Sequence, residues 1–92
     1  MINRIISRTS QFKKDYKREK KKDSQLDSLL MPVVFKLASD EVLEQKYCDH
    51  ALIGDKKGLR DCHIKPNLAL LCRIFDNKLV LVRLGSHAEL NI

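Results

Sequence analysis

Three histidines and one arginine in the second half of the chain have side chains that could do chemistry on a phosphate. His63 ends a predicted strand, Arg83 lies near the end of the last predicted strand, and His87 follows just beyond Gly85. These strand ends would meet at one edge of a sheet, and His50 lies in a preceding loop. Imidazoles exchange protons near neutral pH and a guanidinium binds phosphate oxygens, so the pattern indicates a phosphate-handling site.

Composition and spacing leave several kinds of chemistry open. A zinc site could use Cys48, His50, Cys62 and His63, but these lack CxxC or HxxxH pairs, and adjacent strand residues point to opposite faces. A nucleophilic Cys62 would need a base beside it, and His63 faces the other way. Cleavage of RNA through its own 2′-hydroxyl needs a base, an acid and a cation, which the three histidines and Arg83 could supply. A module that only binds its partner is the remaining alternative.

The elements that would position these groups are three strands near the end of the chain. Segments 68–75 and 78–84 are rich in Leu, Val and Ile and are separated only by an Asp-Asn pair, which tolerates the positive φ of a two-residue hairpin turn. Residues 59–64 form a further predicted strand, in which Asp61 and His63 share one face.

The end of the last strand carries two further signals. An arginine on an otherwise apolar strand, here Arg83, has to reach the sheet edge or find an anion. Ser86 and Glu89 form a capping box, which predicts a final helical turn with His87 at its first position, near amides that have no partner within the helix.

The amino-terminal half is predicted to supply a strand and two helices. Residues 2–6 are typical of a short strand, and a helix is predicted from about 11 to 22 after a cap at Thr9 or Ser10. A second helix is predicted to open at a capping box formed by Ser24 and the acid three residues later, with a kink or a late start at its proline.

The chain carries a net charge of +6, and all of the excess lies at its amino terminus. Residues 1–22 hold nine Lys or Arg against Asp15 and Glu19, a net of +7, and residues 23–92 hold nine basic and ten acidic residues, a net of −1. A basic face on a near-neutral domain indicates a polyanionic partner such as nucleic acid, although a merely solvated helix has the same composition. The candidate RNA- or ribosome-binding residues are Lys13, Lys14, Lys17, Lys20, Lys21, Lys56, Lys57 and Arg60.

Length and composition limit the remaining possibilities. With 92 residues, 43% of them apolar, the chain predicts one domain over residues 1–92 with a single core. It shows no run that would span a bilayer and no secretory pattern, so we expect a cytoplasmic protein without a membrane partner. Three cysteines without CxxC spacing argue against a disulfide scaffold, and we expect neither a metal nor a cofactor.

Three motifs give the chain a resemblance to a known family. They are Tyr47-x-Asp49-His50-x-Leu52-x-Gly54, Gly58-x-Arg60-Asp61-x-His63-x-x-Pro66 and Arg83-x-Gly85-Ser86-His87-Ala88-x-Leu90. The sequence resembles bacterial toxins of the RelE/ParE superfamily, in particular the YafQ branch. The resemblance implies an α+β fold in the order β-α-α-β-β-β, with an antiparallel sheet, two amino-terminal helices on one face and a short carboxyl-terminal helical turn.

The same resemblance implies a function. Toxins of this branch belong to type II toxin–antitoxin systems and are mRNA interferases, endoribonucleases that cleave mRNA in the ribosomal A site and thereby inhibit translation. The implied partners are mRNA, the ribosome and a cognate DinJ-like antitoxin, which would hold the toxin in a hetero-oligomer. The alternative is a binding protein of the same fold that engages antitoxin or RNA without cleavage.

The family's site residues can be carried over onto matching positions. His50 and His87 look like the acid–base pair, His63 like a phosphate or base contact, and Arg83 like the group that meets developing charge. Asn67 stands where the family usually has an acid, and the chain lacks the aromatic residues that the family has at the next position and near its carboxyl terminus. An amide forms hydrogen bonds but accepts no proton in this pH range, so reduced activity is the expectation.

Overall fold

The computed structural model describes residues 3–92, in which two helices pack on one face of a five-stranded sheet. The strands are β1 (Ile5–Arg8), β2 (His50–Ala51), β3 (Arg60–Lys65), β4 (Leu68–Phe75) and β5 (Lys78–Gly85). The helices are α1 (Ser10–Lys22), α2 (Leu26–Ala38) and the short α3 (His87–Leu90). Single 3₁₀ turns occupy 45–47 and 54–56, in a segment whose sequence shows no periodicity. Ile2, in the first predicted strand, lies outside the described residues.

The sheet has the strand order β1-β5-β4-β3-β2, and every neighbouring pair is antiparallel except β1 with β5. The α+β class, the two helices on one face and the terminal helical turn are confirmed. The sheet differs from the expected order in the short additional strand β2 and in the parallel pairing of β1. A parallel neighbour requires a long crossover connection, which the two helices and the three following strands supply.

Local capping signals were right at one predicted helix start and wrong at another. The Thr9 hydroxyl oxygen accepts a hydrogen bond from the Phe12 amide at 3.0 Å, so α1 begins one residue later, as predicted. The capping box predicted for α2 is wrong, because α2 is preceded by Gln25 without a side-chain cap. Asp27, the acid of that predicted box, instead accepts hydrogen bonds from Tyr16 and from Lys20. The predicted late start is also wrong, because α2 begins at Leu26 and its proline lies within the helix.

The main core lies between the helices and the sheet. It contains Phe12 of α1, the buried leucines and valines of α2, and inward-facing residues of β3, β4 and β5. A smaller cluster of Ala69, Leu71 and Leu90 lies on the other face, beneath α3. Each fully buried leucine contributes about 1.5–3 kcal/mol relative to exposure, so these contacts hold the sheet firmly enough to position a site on it. Within residues 3–92, no helix combines the length and the apolar character that a bilayer crossing requires.

The end of β5 departs from the strict alternation that the sequence predicts. The register between β4 and β5 shifts by one residue, so that Leu71 lies opposite Arg83 and Cys72 opposite Leu81. Leu81 and Leu84 therefore both enter the main core, although three positions apart they should point to opposite faces. Arg83 therefore shares the face of its cross-strand partner Leu71, away from the main core, and its side chain reaches Asp15 of α1 from there.

Candidate active site

Three imidazoles converge on one buried carboxylate at the sheet edge formed by β2 and β3. The Nε2 atoms of His50, His63 and His87 lie 3.6, 3.7 and 3.4 Å from Oδ2 of Asp61. The Nε2 atoms of His63 and His87 are only 3.0 Å apart. At that distance a hydrogen bond forms when one of these nitrogens donates and the other accepts. The arrangement can therefore store and relay a proton next to a fixed negative charge.

Asp61 is the functional candidate that sequence reasoning missed. It is 2% exposed, and its Oδ1 accepts no hydrogen bond from any described residue. Burying an unpaired carboxylate oxygen costs about 1–3 kcal/mol, so its presence requires a reason beyond stability. The available signal was the spacing Asp61-x-His63, since alternate strand residues share a face, but nothing in the sequence linked that face to His50 or His87.

The sheet register explains why His50 and Asp61 meet. These two residues are direct partners in the β2–β3 ladder, where side chains on the same face lie side by side. The imidazole Nδ1 of His50 lies 2.6 Å from the Cys48 carbonyl oxygen, and donates to it because a carbonyl only accepts. In the neutral ring, the lone pair is therefore on Nε2, the atom that faces Asp61.

The neighbouring residue Asp49 anchors this loop to β3. It forms a bidentate ion pair with Arg60, with Nε to Oδ1 at 3.1 Å and Nη2 to Oδ2 at 2.5 Å. The hydrogen bond to Asp49 raises the pKa of Arg60 above its usual value, against the effect of burial. Arg60, a candidate RNA-binding residue, is thus engaged within the protein and fixes the segment that carries His50.

His87 reaches the cluster because α3 lies very close to the sheet. The predicted capping box is confirmed: the Ser86 hydroxyl accepts from the Glu89 amide, and the Glu89 carboxylate accepts from the Ser86 amide, both at 3.1 Å. A Cβ at Gly85 would lie 3.2 Å from an Arg18 nitrogen and 3.4 Å from a Glu89 oxygen. A side chain at this position would displace the ends of Arg18 and Glu89 by a few tenths of an ångström, so glycine favours the close approach of α3 to β5, and His87 follows two residues later.

Arg83 finds its anion inside the protein. Its Nε donates to Oδ2 of Asp15 on α1 at 2.7 Å, and the Leu84 amide donates to the same oxygen at 3.1 Å. Burial alone would raise the pKa of Asp15, but hydrogen bonds from Arg83, from the Leu84 amide and from Gln11 outweigh it, so the pKa lies below its usual 3.8. The expectation that Arg83 needs an anion is confirmed, although the partner is a buried aspartate. About one third of the Arg83 side chain stays exposed.

The other predicted site residues are spread over the surface. Asn67 is exposed in the turn between β3 and β4, and its side chain forms no hydrogen bond with residues 3–92. Lys20 pairs with Asp27 at 2.9 Å, whereas the remaining lysines of the predicted set make no ion pair within the described chain. Those exposed on α1 are Lys13, Lys14, Lys17 and Lys21, while Lys57 is exposed and Lys56 half-buried in the loop before β3.

The cysteines do not contribute to this site. Cys62 is fully buried on the helix side of the sheet, and its hydrogen bond with Cys72, together with burial, raises the pKa of its thiol. A thiol held in its protonated form is a poor nucleophile and a poor metal ligand. The side chains that could hold a metal ion are those of Asp61, His63 and His87, whose ligand atoms lie within 4.8 Å of one another.

Comparison with solved structures shows that this fold is shared with small bacterial toxins. The chain matches a copper-bound mutant toxin from Helicobacter pylori with a TM-score of 0.90 and 38% identity, covering 98% and 99% of the two chains. It matches the DinJ-YafQ toxin-antitoxin complex of Escherichia coli with a TM-score of 0.79 and 34% identity, covering 97% and 98%. Among curated proteins, the mRNA interferase toxin YafQ of Escherichia coli K12 is 33% identical over 90 residues, 98% of each chain.

The family itself is shown by a family model. The model described as the bacterial toxin of type II toxin-antitoxin system, YafQ, matches residues 4–92. The chain therefore belongs to the YafQ family of type II toxins.

Proposed function

We propose that this toxin is an endoribonuclease that cleaves mRNA on the ribosome and so inhibits translation. The observation that carries the proposal is the convergence of three imidazole Nε2 atoms within 3.4–3.7 Å of one buried carboxylate oxygen. RNA cleavage needs a base for the 2′-hydroxyl and an acid for the 5′-oxygen that leaves, and histidines supply both near neutral pH. The name of the Escherichia coli relative, an mRNA interferase, supports the same reaction.

The step is a transfer of the phosphate from one ribose oxygen to another. His50, whose neutral ring has its lone pair on Nε2, takes the proton of the 2′-hydroxyl, and the freed oxygen attacks phosphorus. The bond from phosphorus to the 5′-oxygen breaks, and His87 gives that oxygen a proton. The products are a 2′,3′-cyclic phosphate and a 5′-hydroxyl. Asp61 stabilises whichever imidazole carries the positive charge at a given moment.

Other groups act on the phosphate around this pair. His63 shares a proton with His87 and would donate a hydrogen bond to a phosphate oxygen. The exposed third of Arg83 would meet the negative charge that develops in the transition state, while its pair with Asp15 holds the guanidinium in place. Asn67 lies in the exposed turn after β3 and would contribute hydrogen bonds only.

Size and charge support the proposed dependence on the ribosome. A domain of 92 residues has little surface with which to order a message by itself. The exposed lysines of α1 and the Lys56–Lys57 loop would instead bind ribosomal RNA through its phosphates, and the ribosome would hold the message. The toxin would therefore act in the cytoplasm.

A cognate DinJ-like antitoxin would hold the toxin in a hetero-oligomer until release. The solved DinJ-YafQ complex of Escherichia coli supports a partner of this kind. An exposed cationic surface binds RNA indiscriminately, so we expect an acidic antitoxin segment to cover α1 and Arg83. Co-expression and purification test this: recovery of the toxin alone, without an acidic partner, would count against it.

A second candidate property is binding of a divalent transition-metal ion at the same site. Asp61, His63 and His87 offer a carboxylate and two imidazoles within 4.8 Å, a donor set that suits copper or zinc. The copper-bound toxin from Helicobacter pylori has a related chain. A bound ion would occupy the Nε2 atoms that proton transfer requires, so added Cu²⁺ should inhibit cleavage and a chelator should restore it. Undiminished Cu²⁺ binding by an Asp61→Asn, His87→Gln double variant, measured by isothermal titration calorimetry, would place the metal elsewhere.

A translation-coupled cleavage assay with primer extension tests the main proposal. The parent should cut ribosome-bound message and leave naked message intact. His50→Gln and His87→Gln should each lower the single-turnover rate by about 10²–10⁴-fold without unfolding the domain. Equal cleavage of naked and bound message would contradict ribosome dependence. Absence of cleavage in both would favour a protein that only binds antitoxin or RNA.

A further inference from the structure

A groove that is lined in part by His63, and not by His87, opens beside the histidine cluster. It has a volume of about 530 Å³ and is lined by Tyr47, His63, Lys46 and Lys65, with Leu29 of α2 at its rim. We call this feature the Tyr47 groove. Its size lies within the range of small-ligand sites, which is about 300–1,000 Å³. Because His63 belongs to both, a molecule reacting at the histidines would extend into the groove.

Tyr47 gives this groove an aromatic floor. Its ring is half-buried and packs against the main core, so the support beneath it is rigid, while its other side faces the groove. The Lys46 ammonium lies 5.2 Å from the ring centroid, and Lys46 makes no ion pair with the described residues. An aromatic ring that attracts a cation and lies in a positively charged groove is suited to a nucleotide, whose base stacks and whose phosphate binds the ammonium.

Positive charge alone would attract either RNA or an acidic protein segment. Charge together with the Tyr47 ring favours RNA, because a base can stack on the ring. Lys65 is already paired with Asp23 at 3.0 Å, which leaves Lys46 as the cation that an incoming ligand would meet first. No acidic residue lines the groove itself. Leu68 follows Asn67 and Ile92 ends the chain, so neither position offers an aromatic ring, and Tyr47 is the aromatic residue that lines the groove.

We infer that the Tyr47 groove binds the nucleotide next to the cleaved phosphate, with its base stacked on Tyr47 and its own phosphate held by Lys46. The inference rests on the proposed function, because it takes the histidines as the place of cleavage. Stacking tolerates any base but is stronger for purines, so Tyr47 would set both the affinity for the message and the preference among codons.

The test compares Tyr47 with a second aromatic residue that also has a lysine ammonium close to its ring but does not line the groove beside the histidines. Phe75, at the far end of β4, is 43% exposed and has the Lys78 ammonium 5.8 Å from its ring centroid. Tyr47→Leu should weaken cleavage of ribosome-bound message about 5- to 150-fold, mainly through a higher KM, since stacking is lost in ground and transition states alike. The KM for cleavage of ribosome-bound message should stay near the parent value in Tyr47→Phe and in the control Phe75→Leu.

A binding arm separates failure of this inference from failure of the proposed function. A short RNA with 2′-O-methyl groups cannot be cleaved, and its binding is followed by NMR through the backbone amide signals of Lys46, His63 and Lys65, which parent and variant share. If the parent binds this RNA and Tyr47→Leu does not, the groove is supported even if no message is cut. If binding and cleavage by Tyr47→Leu both equal those of the parent, with the variant folded by its thermal transition, the inference is wrong. Loss of antitoxin affinity alone in Tyr47→Leu would assign the groove to the antitoxin and also overturn it.

Discussion

Two buried carboxylates organise this protein, and they differ in how their partners satisfy them. Asp15 is fully buried and accepts hydrogen bonds from Arg83, Arg18, Gln11 and the Leu84 amide. Asp61 is almost as buried, yet one of its oxygens has no partner within the described chain, and the other faces three imidazoles at 3.4–3.7 Å. A buried carboxylate whose oxygens all accept hydrogen bonds serves to hold the fold together, whereas one with an unpaired oxygen beside titratable groups indicates a functional site.

The Asp15 cluster also explains how α1 protects the sheet. β1 pairs with β5 only as far as Leu81, which leaves the rest of that edge without a strand partner. Asp15 accepts from the Leu84 amide, Arg18 donates to the Leu84 carbonyl at 2.9 Å, and Thr9 donates to the Val82 carbonyl at 2.7 Å. These side chains replace the missing strand and prevent edge-to-edge association. Asp61 is instead covered by β2 and by the three imidazoles, and the partly exposed imidazoles are what a substrate can reach.

Replacing Asp15 with Asn should have the largest effect on stability. It would leave Arg83 and Arg18 without their buried anion, and breaking such a pair costs about 3–5 kcal/mol. Both guanidiniums are about one third exposed, so we expect about 3 kcal/mol in the free energy of unfolding, measured with urea. A loss below about 1 kcal/mol would mean that the network is solvated and does not hold α1 to β5.

The ion pair of Asp15 with Arg83 also predicts a pH dependence of stability. Because the pKa of Asp15 is lowered in the fold, its contribution is complete above its usual value of 3.8 and is lost as pH falls through the lower folded value. Parent and Asp15→Asn should therefore converge in stability below about pH 4. A constant difference between the two proteins down to pH 2 would contradict this.

Replacing Asp61 with Asn should reverse the pattern and affect cleavage more than stability. At an effective dielectric constant of 20, charges 4 Å apart interact by about 4 kcal/mol, and partial exposure of the imidazoles reduces this to about 2 kcal/mol. The single-turnover rate should fall about 30-fold with ribosome affinity unchanged. Stability should stay equal or rise by up to about 1 kcal/mol, because a buried unpaired charge is removed. A drop in both rate and stability would make Asp61 a structural residue like Asp15.

Asn67→Asp should have a smaller and opposite effect. It restores the acid that the family usually has in the turn after β3, and so adds one contribution to acid–base catalysis. The position is exposed, and solvent screens its charge, so we expect a rise of about 3- to 10-fold in single-turnover cleavage. The comparison uses saturating ribosomes. Equal rates would show that position 67 has no part in catalysis here.

The smallest effect is expected for the surface lysines. Changing Lys13, Lys14 and Lys17 to Gln should lower the slope of log affinity against log salt by about 0.7 for each RNA phosphate that the variant no longer neutralises, while the cleavage rate at saturation is unchanged. A matched control changes Arg73 and Lys78 to Gln, both exposed near the far hairpin. The same slope in parent and lysine variant would mean that α1 is only a solvated surface.

Much of the fold was predictable because its signals are local. The hairpin at 76–77 was predicted from residue types alone, and Asp76 has the positive φ of 51° that such a turn uses. The two caps that were right, at Thr9 and Ser86, each involve residues three positions apart in the chain. The cap that was wrong failed through a tertiary interaction, because Tyr16 and Lys20 of α1 bind the acid on which it depended.

The sequence by itself determined which residues could do the chemistry, namely three histidines and an arginine, and it determined β3, β5 and the final helical turn, which carry all of them except His50. The strand β2, which carries His50, was not predicted. Only the tertiary structure decided which charges these groups meet. Asp61 lies 26 residues from His87, and Asp15 lies 68 residues from Arg83, which a register shift in β5 places on the face opposite the main core. Propensity, capping and alternation act over a few residues, whereas the position of a buried charge depends on packing across the whole chain.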